Sequence, residues 1–112
     1  MDNEKLHLLT VIVQRTLGER VLDAALKAGA TGATFFYAQG TGVRQRLGLL
    51  GQLIEAEKQV LFVVTTEDHV DRVLEAVTVA GELHNEAYGF AYVQEVTKAV
   101  GFIGPPPAKP TP

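Results

Sequence analysis

The run Gly29-Ala30-Thr31-Gly32-Ala33-Thr34-Phe35-Phe36-Tyr37-Ala38-Gln39-Gly40-Thr41-Gly42 decides how this chain folds, because it reads as a β-strand closed by Gly-x-Gly. Gly40 and Gly42 carry no Cβ and reach positive φ without strain, so the backbone turns sharply there and a ligand or partner can approach it closely. The following residues, Val43 to Ile54, read as a mobile loop thrown off the end of a sheet. Loops anchored on a rigid scaffold are where binding function concentrates.

Upstream of this run, Leu6 to Gln14 is apolar and rich in β-branched residues, as suits a largely buried strand. Thr16 precedes Glu19 by three residues, the spacing of a capping box, which predicts a helix from Leu17. Leu22, Ala25 and Leu26, flanked by Val21, form its apolar stripe, and Gly29 supplies the left-handed residue that ends many helices. A second strand is expected over roughly Thr31 to Gln39.

Downstream the order recurs. Gln59 to Thr65 reads as a buried strand, Thr66 as an N-cap, and Glu67 and Asp68 suit the positive end of a helix dipole. Val70, Val73, Leu74 and Val77 fall at i, i+3, i+4 and i+7, the core face of a second helix. A turn over Gly81 to Ala87 leads to a final strand, roughly Tyr88 to Val93, and Val96 to Ile103 is expected to add a short edge strand. The sum is β-α-β-β-α-β. With right-handed crossovers this is an α+β, ferredoxin-like sandwich: a four-stranded antiparallel sheet with two helices on one face.

Two helices cover only one face of such a sheet, yet the strands are apolar in both parities. Leu6, Leu8 and Ile12 alternate with Leu9, Val11 and Val13, and Leu61 and Val63 with Phe62 and Val64. A solvated second face would alternate more cleanly, so the pattern points to burial between subunits. A chain that is 46% hydrophobic makes apolar strands in any case, which is the plainer reading.

Composition narrows the function. The chain has 112 residues, enough for one domain with one core. We expect that domain over 1–103 and a disordered proline-rich tail over 104–112, Gly-Pro-Pro-Pro-Ala-Lys-Pro-Thr-Pro, extended like polyproline II. No apolar run approaches the ~20 residues that span a bilayer, and Met1-Asp2-Asn3-Glu4-Lys5 lacks the features of a leader, so a cytoplasmic protein without membrane insertion is expected. There is no cysteine, which excludes disulfides, thiolate nucleophiles and cysteine-based zinc sites. Net charge is −3 and the ten Lys and Arg are dispersed, which argues against nucleic acid as a partner.

Taken in order, the pieces resemble the PII signal-transduction superfamily. Ala28-Gly29-Ala30-Thr31-Gly32-Ala33-Thr34 is similar to that family's lead-in to strand two, and Gly40-Thr41-Gly42 to the Gly-Phe-Gly at the base of its T-loop. Val63-Val64-Thr65-Thr66-Glu67-Asp68-His69-Val70-Asp71 resembles the third strand and the acidic start of helix two, and Val96-Thr97-Lys98-Ala99-Val100 the segment after strand four. The resemblance runs from about Leu6 to Ile103. It implies a homotrimer that senses a small molecule in the cleft between subunits and controls a transporter or metabolic enzyme of nitrogen or carbon metabolism through its T-loop. Such a protein is a regulator, not an enzyme.

The same resemblance implies a cleft lined by Thr34, Gly40, Thr41, Gly42, Lys58, Val64, Gly89 and Phe90. In typical members a basic B-loop, Gly-Lys-x-Gly-Asp-Gly-Lys, and two later arginines hold the phosphates of ATP. Here that loop aligns with His84-Asn85-Glu86-Ala87-Tyr88-Gly89-Phe90, and the arginine positions fall on Gly101 and Ile103. Lys and Arg are what offset the desolvation of a triphosphate. MgATP, and 2-oxoglutarate with it, are therefore not expected; AMP or ADP is the leading expectation. On the plainer reading the glycines serve turns and Thr34 and Val64 are ordinary strand residues. Arg44, Arg46, Leu47, Leu49 and Leu50 make the loop a mixed surface suited to a partner. On a competing reading those leucines fold back over the cleft, or the arginines replace the lost B-loop cations.

Two other classes remain. An enzyme would need a nucleophile motif or paired carboxylates, and His7, His69 and His84 are scattered. A CutA-like metal-binding trimer shares the fold class, but a chain with no cysteine and one methionine offers few soft ligands.

Overall fold

The computed structural model describes residues 5–39, 57–85 and 88–101. Strand β1 (Leu6–Gln14) passes through a 3-10 turn (Arg15–Leu17) into helix α1 (Gly18–Ala28), and β2 (Gly32–Gln39) follows. Strand β3 (Glu57–Thr66), helix α2 (Val70–Ala80) and strand β4 (Phe90–Val96) repeat the pattern. The sheet is four-stranded in the order β2-β3-β1-β4 and antiparallel throughout, the expected ferredoxin-like arrangement.

Alternation along the strands puts Leu9, Val11 and Val13 of β1, and Leu61 and Val63 of β3, on one face. There they meet Val21, Ala25 and Ala28 of α1 and Val70, Val73 and Val77 of α2 in a single core. Fully burying each large aliphatic side chain stabilises by about 1.5–3 kcal/mol, so this layer dominates the stability of the chain. Leu26, expected on the α1 stripe, is about half exposed; the buried stripe runs through Val21, Ala25 and Ala28 instead. Leu22 and Leu74 pack at its margin.

The helix junctions differ from expectation for physical reasons. Helix α1 begins at Gly18, one residue past the expected Leu17, and Thr16 lies inside the 3-10 turn, so it is not the N-cap; neither Gln14 nor Leu17, the two N-cap residues, makes a side-chain cap bond. Gly18 lies tight against β3: a Cβ there would come within 1.6 Å of the Gln59 side-chain oxygen. At the other end Gly29 adopts φ 119°, the left-handed C-cap expected of it, and its amide donates to Leu26 O. The ring of His69 fills the space a Cβ on Gly29 would need.

Helix α2 is capped by His69, not by Thr66. Thr66 is the last residue of β3, and its hydroxyl shares a 3.0 Å hydrogen bond with His69 Nδ1 across the intervening turn. The final strand starts at Phe90, two residues later than expected, because Gly89 packs its α-carbon against β1: φ is 152° and a Cβ would lie 2.0 Å from Ile12 O. Val96 closes β4, and the backbone bends at Thr97 and again at Val100 and Gly101, so residues 97–101 form no edge strand.

Candidate functional site

Register fixes where the expected cleft residues lie. On the face opposite the helices, successive rows read Gln94–Leu8–Val64–Gly32, Tyr92–Thr10–Phe62–Thr34 and Phe90–Ile12–Val60–Phe36 from β4 to β2. A further row pairs Gln14 with Lys58 and Lys58 with Ala38. Thr34, Val64 and Lys58 thus share the β2–β3 side of the open face, Thr34 diagonal to Val64. Gly89 and Phe90 lie at the β4 edge, two strand spacings from Val64 and Lys58 of β3 and three, roughly 14 Å, from Thr34 of β2. Within one subunit these expected residues therefore do not lie together.

The open face is aromatic and almost uncharged. Phe36 and Phe62 touch at 5.7 Å between ring centroids and Phe90 stacks on Tyr92 at 6.0 Å. These four rings are 37 to 57% exposed, whereas Thr10 between Phe62 and Tyr92 is only 6% exposed. Among the described residues, Lys58 is the single charged side chain in these rows. A triphosphate would meet one cation here.

Of the other expected site residues, Gly40, Thr41, Gly42, Arg44, Arg46, Leu47, Leu49 and Leu50 lie outside the described residues, as do Glu86 and Ile103. Gly89 has a packing reason to be glycine whatever it binds, since Ile12 O occupies the space beside it. The described residues contain no cluster of three or more His, Asp or Glu that could hold a metal ion.

The structure adds a cluster that the sequence did not single out. Arg15 Nη1 donates to Glu57 Oε1 at 2.9 Å, and its guanidinium carbon lies 4.7 Å from the centroid of the Tyr37 ring. The hydrogen bond and charge of Glu57, with a smaller contribution from Tyr37, hold the guanidinium above its ordinary pKa. Phe35 meets Tyr37 edge-on at 6.3 Å. The cluster stands beside the pair Gln39↔Glu57, the last pair of the β2–β3 ladder before residues 40–56. Arg15 and Glu57 are 42 residues apart and neither sits in a motif, so no local signal joined them.

An α+β sandwich with this strand order defines the fold class. The chain belongs to the nitrogen regulatory protein P-II family, whose model matches residues 6–102, and is a PII-like regulatory protein. Among solved structures it is similar to Arabidopsis thaliana PII bound to citrate, at 21% identity, with 86% of this chain and 81% of that one covered and a TM-score of 0.62. It is also similar to a Bacillus cereus protein related to NIF3, at 22% identity and a TM-score of 0.65, with 85% of this chain covered. The chain spans about a quarter of that protein, 26% of its length. No curated protein matches the chain. No helix among the described residues is long and apolar enough to cross a membrane.

Proposed function

We propose that this protein is a homotrimeric sensor of the PII type, which binds a small ligand between subunits and signals through residues 43–54 to a transporter or metabolic enzyme. The observation that supports it is the split open face. Thr34, Val64 and Lys58 at the β2 side and Phe90 at the β4 edge can line one cleft when the β2 edge of one copy meets the β4 edge of the next. Joining copies this way also buries the aromatic rows, which water would otherwise leave as a large apolar patch. Arg44 and Arg46, with Leu47, Leu49 and Leu50, supply the partner-binding surface of the loop.

A cleft with Lys58 as its one described cation suits a ligand of low charge, so AMP or ADP is favoured over MgATP. Citrate, bound by the Arabidopsis relative, belongs in the same comparison. Sedimentation at micromolar concentration is expected to give a trimer, and a stable monomer overturns the assembly. Calorimetry is expected to find AMP or ADP binding at least as tightly as ATP, with little response to Mg²⁺. Tight, Mg²⁺-dependent ATP binding would mean that Arg44 or Arg46 supplies the missing charge. Removing Arg44 to Gln52 and bridging with glycine should leave the trimer intact and abolish partner capture.

A further inference from the structure

The cluster of Arg15, Tyr37 and Glu57 lies on the helix side of the sheet, away from the aromatic rows, and neither the cleft nor the assembly proposed above uses it. Extending the β1–β3 register one step past Gln14↔Lys58 puts Arg15 opposite Glu57, which is itself paired with Gln39 of β2. The backbone turns away here into the 3-10 turn Arg15–Leu17, but the side chains still meet, and Arg15 Nη1 donates to Glu57 Oε1 at 2.9 Å. The guanidinium also reaches across β3 toward β2, two strand spacings or roughly 10 Å from its own strand. Its carbon lies 4.7 Å from the centroid of the Tyr37 ring, and Phe35 braces that ring edge-on at 6.3 Å. In the row behind, between Tyr37 and Val13, Gln59 is only 4% exposed, with Gly18 of α1 packed tight against its side-chain amide.

We propose that Arg15 is a clasp: it ties the outer end of the β2–β3 ladder to the β1–α1 junction, and so fixes both the points from which residues 40–56 leave and return and the position of Lys58 on the opposite face. The end of a strand pair frays because its last residues have neighbours on one side only. Gln39 is open to fraying on two counts, since β2 is an edge strand and Gln39↔Glu57 is its last pair. The other end of the same ladder is pinned by Thr31, which donates both its amide, at 2.8 Å, and its hydroxyl, at 3.0 Å, to Val64 O. At the outer end Arg15 takes that part. Its ion pair is 51 and 63% exposed, too open to add much to global stability, so its effect is local order. A guanidinium suits the task because it stacks flat on a ring while donating in its own plane, which an ammonium cannot do. Side chains alternate across a strand, so Lys58, next to Glu57 and paired with both Gln14 and Ala38, belongs to the open face. What Arg15 holds on one face therefore sets where the cleft cation stands on the other, a consequence that rests on the cleft proposed above.

Site-resolved amide exchange of the full-length protein tests the clasp. Arg15→Gln is expected to speed exchange at residues 37–39 and 57–59 about tenfold and to leave residues 32–34 and 62–64, at the other end of the ladder, within about twofold. The melting temperature should stay where it was. Tyr37→Leu and Glu57→Gln should each give part of the effect and add little once Arg15 is gone, and Arg15→Lys should protect less than arginine does. In calorimetry with AMP, Arg15→Gln is expected to weaken binding about threefold, and to lose that effect in a Lys58→Ala background. Unchanged exchange at 37–39 and 57–59, or equal acceleration at both ends of the ladder, overturns the clasp. Local acceleration with unaltered AMP affinity overturns its link to Lys58. If AMP fails to bind the unaltered protein, the cleft reading falls and the exchange rates alone decide the clasp.

Discussion

The helix-covered face and the open face belong to the same four strands, yet they are built on different terms. Leu9, Val11, Leu61 and Val63 have no exposed surface, whereas Phe36, Phe62, Phe90 and Tyr92, interleaved with or opposite them, are substantially exposed. Aliphatics fill the closed side, where α1 and α2 of the same chain complete the packing. Aromatics dominate the outer rows of the open side, where large flat rings retain contact area for something outside the strand. The contrast shows that hydrophobicity alone does not mark a core. What marks it is whether the chain itself supplies the covering layer.

Adjacent residues of β3 test this contrast most sharply. Leu61→Ala should cost about 2–5 kcal/mol of stability, read by urea unfolding, because it opens a cavity among residues that cannot close over it. Phe62→Ala, one residue along and facing the other way, should cost the isolated fold at most about 1 kcal/mol. It should instead shift sedimentation toward the monomer. Equal destabilisation by the two at concentrations too low for assembly would break the distinction between the faces.

Gly89→Ala probes the seam where the open face meets the β4 edge. The new Cβ collides with Ile12 O and the backbone sits in a region unfavourable to L-residues, so a loss of about 1–3 kcal/mol is expected in thermal unfolding. A neutral result would mean that β4 moves freely over β1. On the closed side, Arg20 reaches from α1 to the end of α2, where Nε donates to Ala80 O at 3.1 Å and Nη2 pairs with Glu82 at 2.9 Å. The pair is largely exposed, so Arg20→Ala should cost no more than about 1 kcal/mol. A larger loss would assign the helix layer a polar contribution that its core does not suggest.

The smallest change runs the other way. His7 lies on the helix side of β1 between Thr65 and Glu95, and both of its ring nitrogens are buried without a hydrogen-bond partner among the described residues. A neutral imidazole carries one N–H, and an unsatisfied buried donor costs about 1–3 kcal/mol. His7→Leu should therefore raise stability, by about 1 kcal/mol after the change of shape. Destabilisation would show that the imidazole is satisfied in solution.

Most of the fold was legible in the sequence because it rests on local signals. Valine spacing in α2, the β-branched runs of β1 and β3, and the C-cap at Gly29 each need only a few neighbouring residues. Errors arose where distant residues meet. Thr16 and Glu19 have capping-box spacing, but Gln59 lies against Gly18 and the first turn tightens to 3-10. Strand β4 starts later than the local pattern predicts, at Phe90, and the contact of Gly89 with Ile12 O that precedes it spans most of the chain. The family resemblance places Thr34 and Phe90 in one expected cleft; that they sit on opposite edges of the sheet follows only from the strand order. The Arg15–Glu57–Tyr37 cluster had no sequence signature at all.

The ladder between β2 and β3 ends in the pair Gln39↔Glu57, so the 17 residues from 40 to 56 begin and end at neighbouring positions on a fixed frame. The entropy of closing such a loop grows only with the logarithm of its length, about 0.6 kcal/mol for each doubling. A change of length between Gln39 and Glu57 is expected to cost the domain little where that connection is flexible, whereas a one-residue slip within β2 or β3 would turn every side chain to the wrong face. The sheet thus behaves as a socket of fixed bore, and evolution is free to change what is plugged into it.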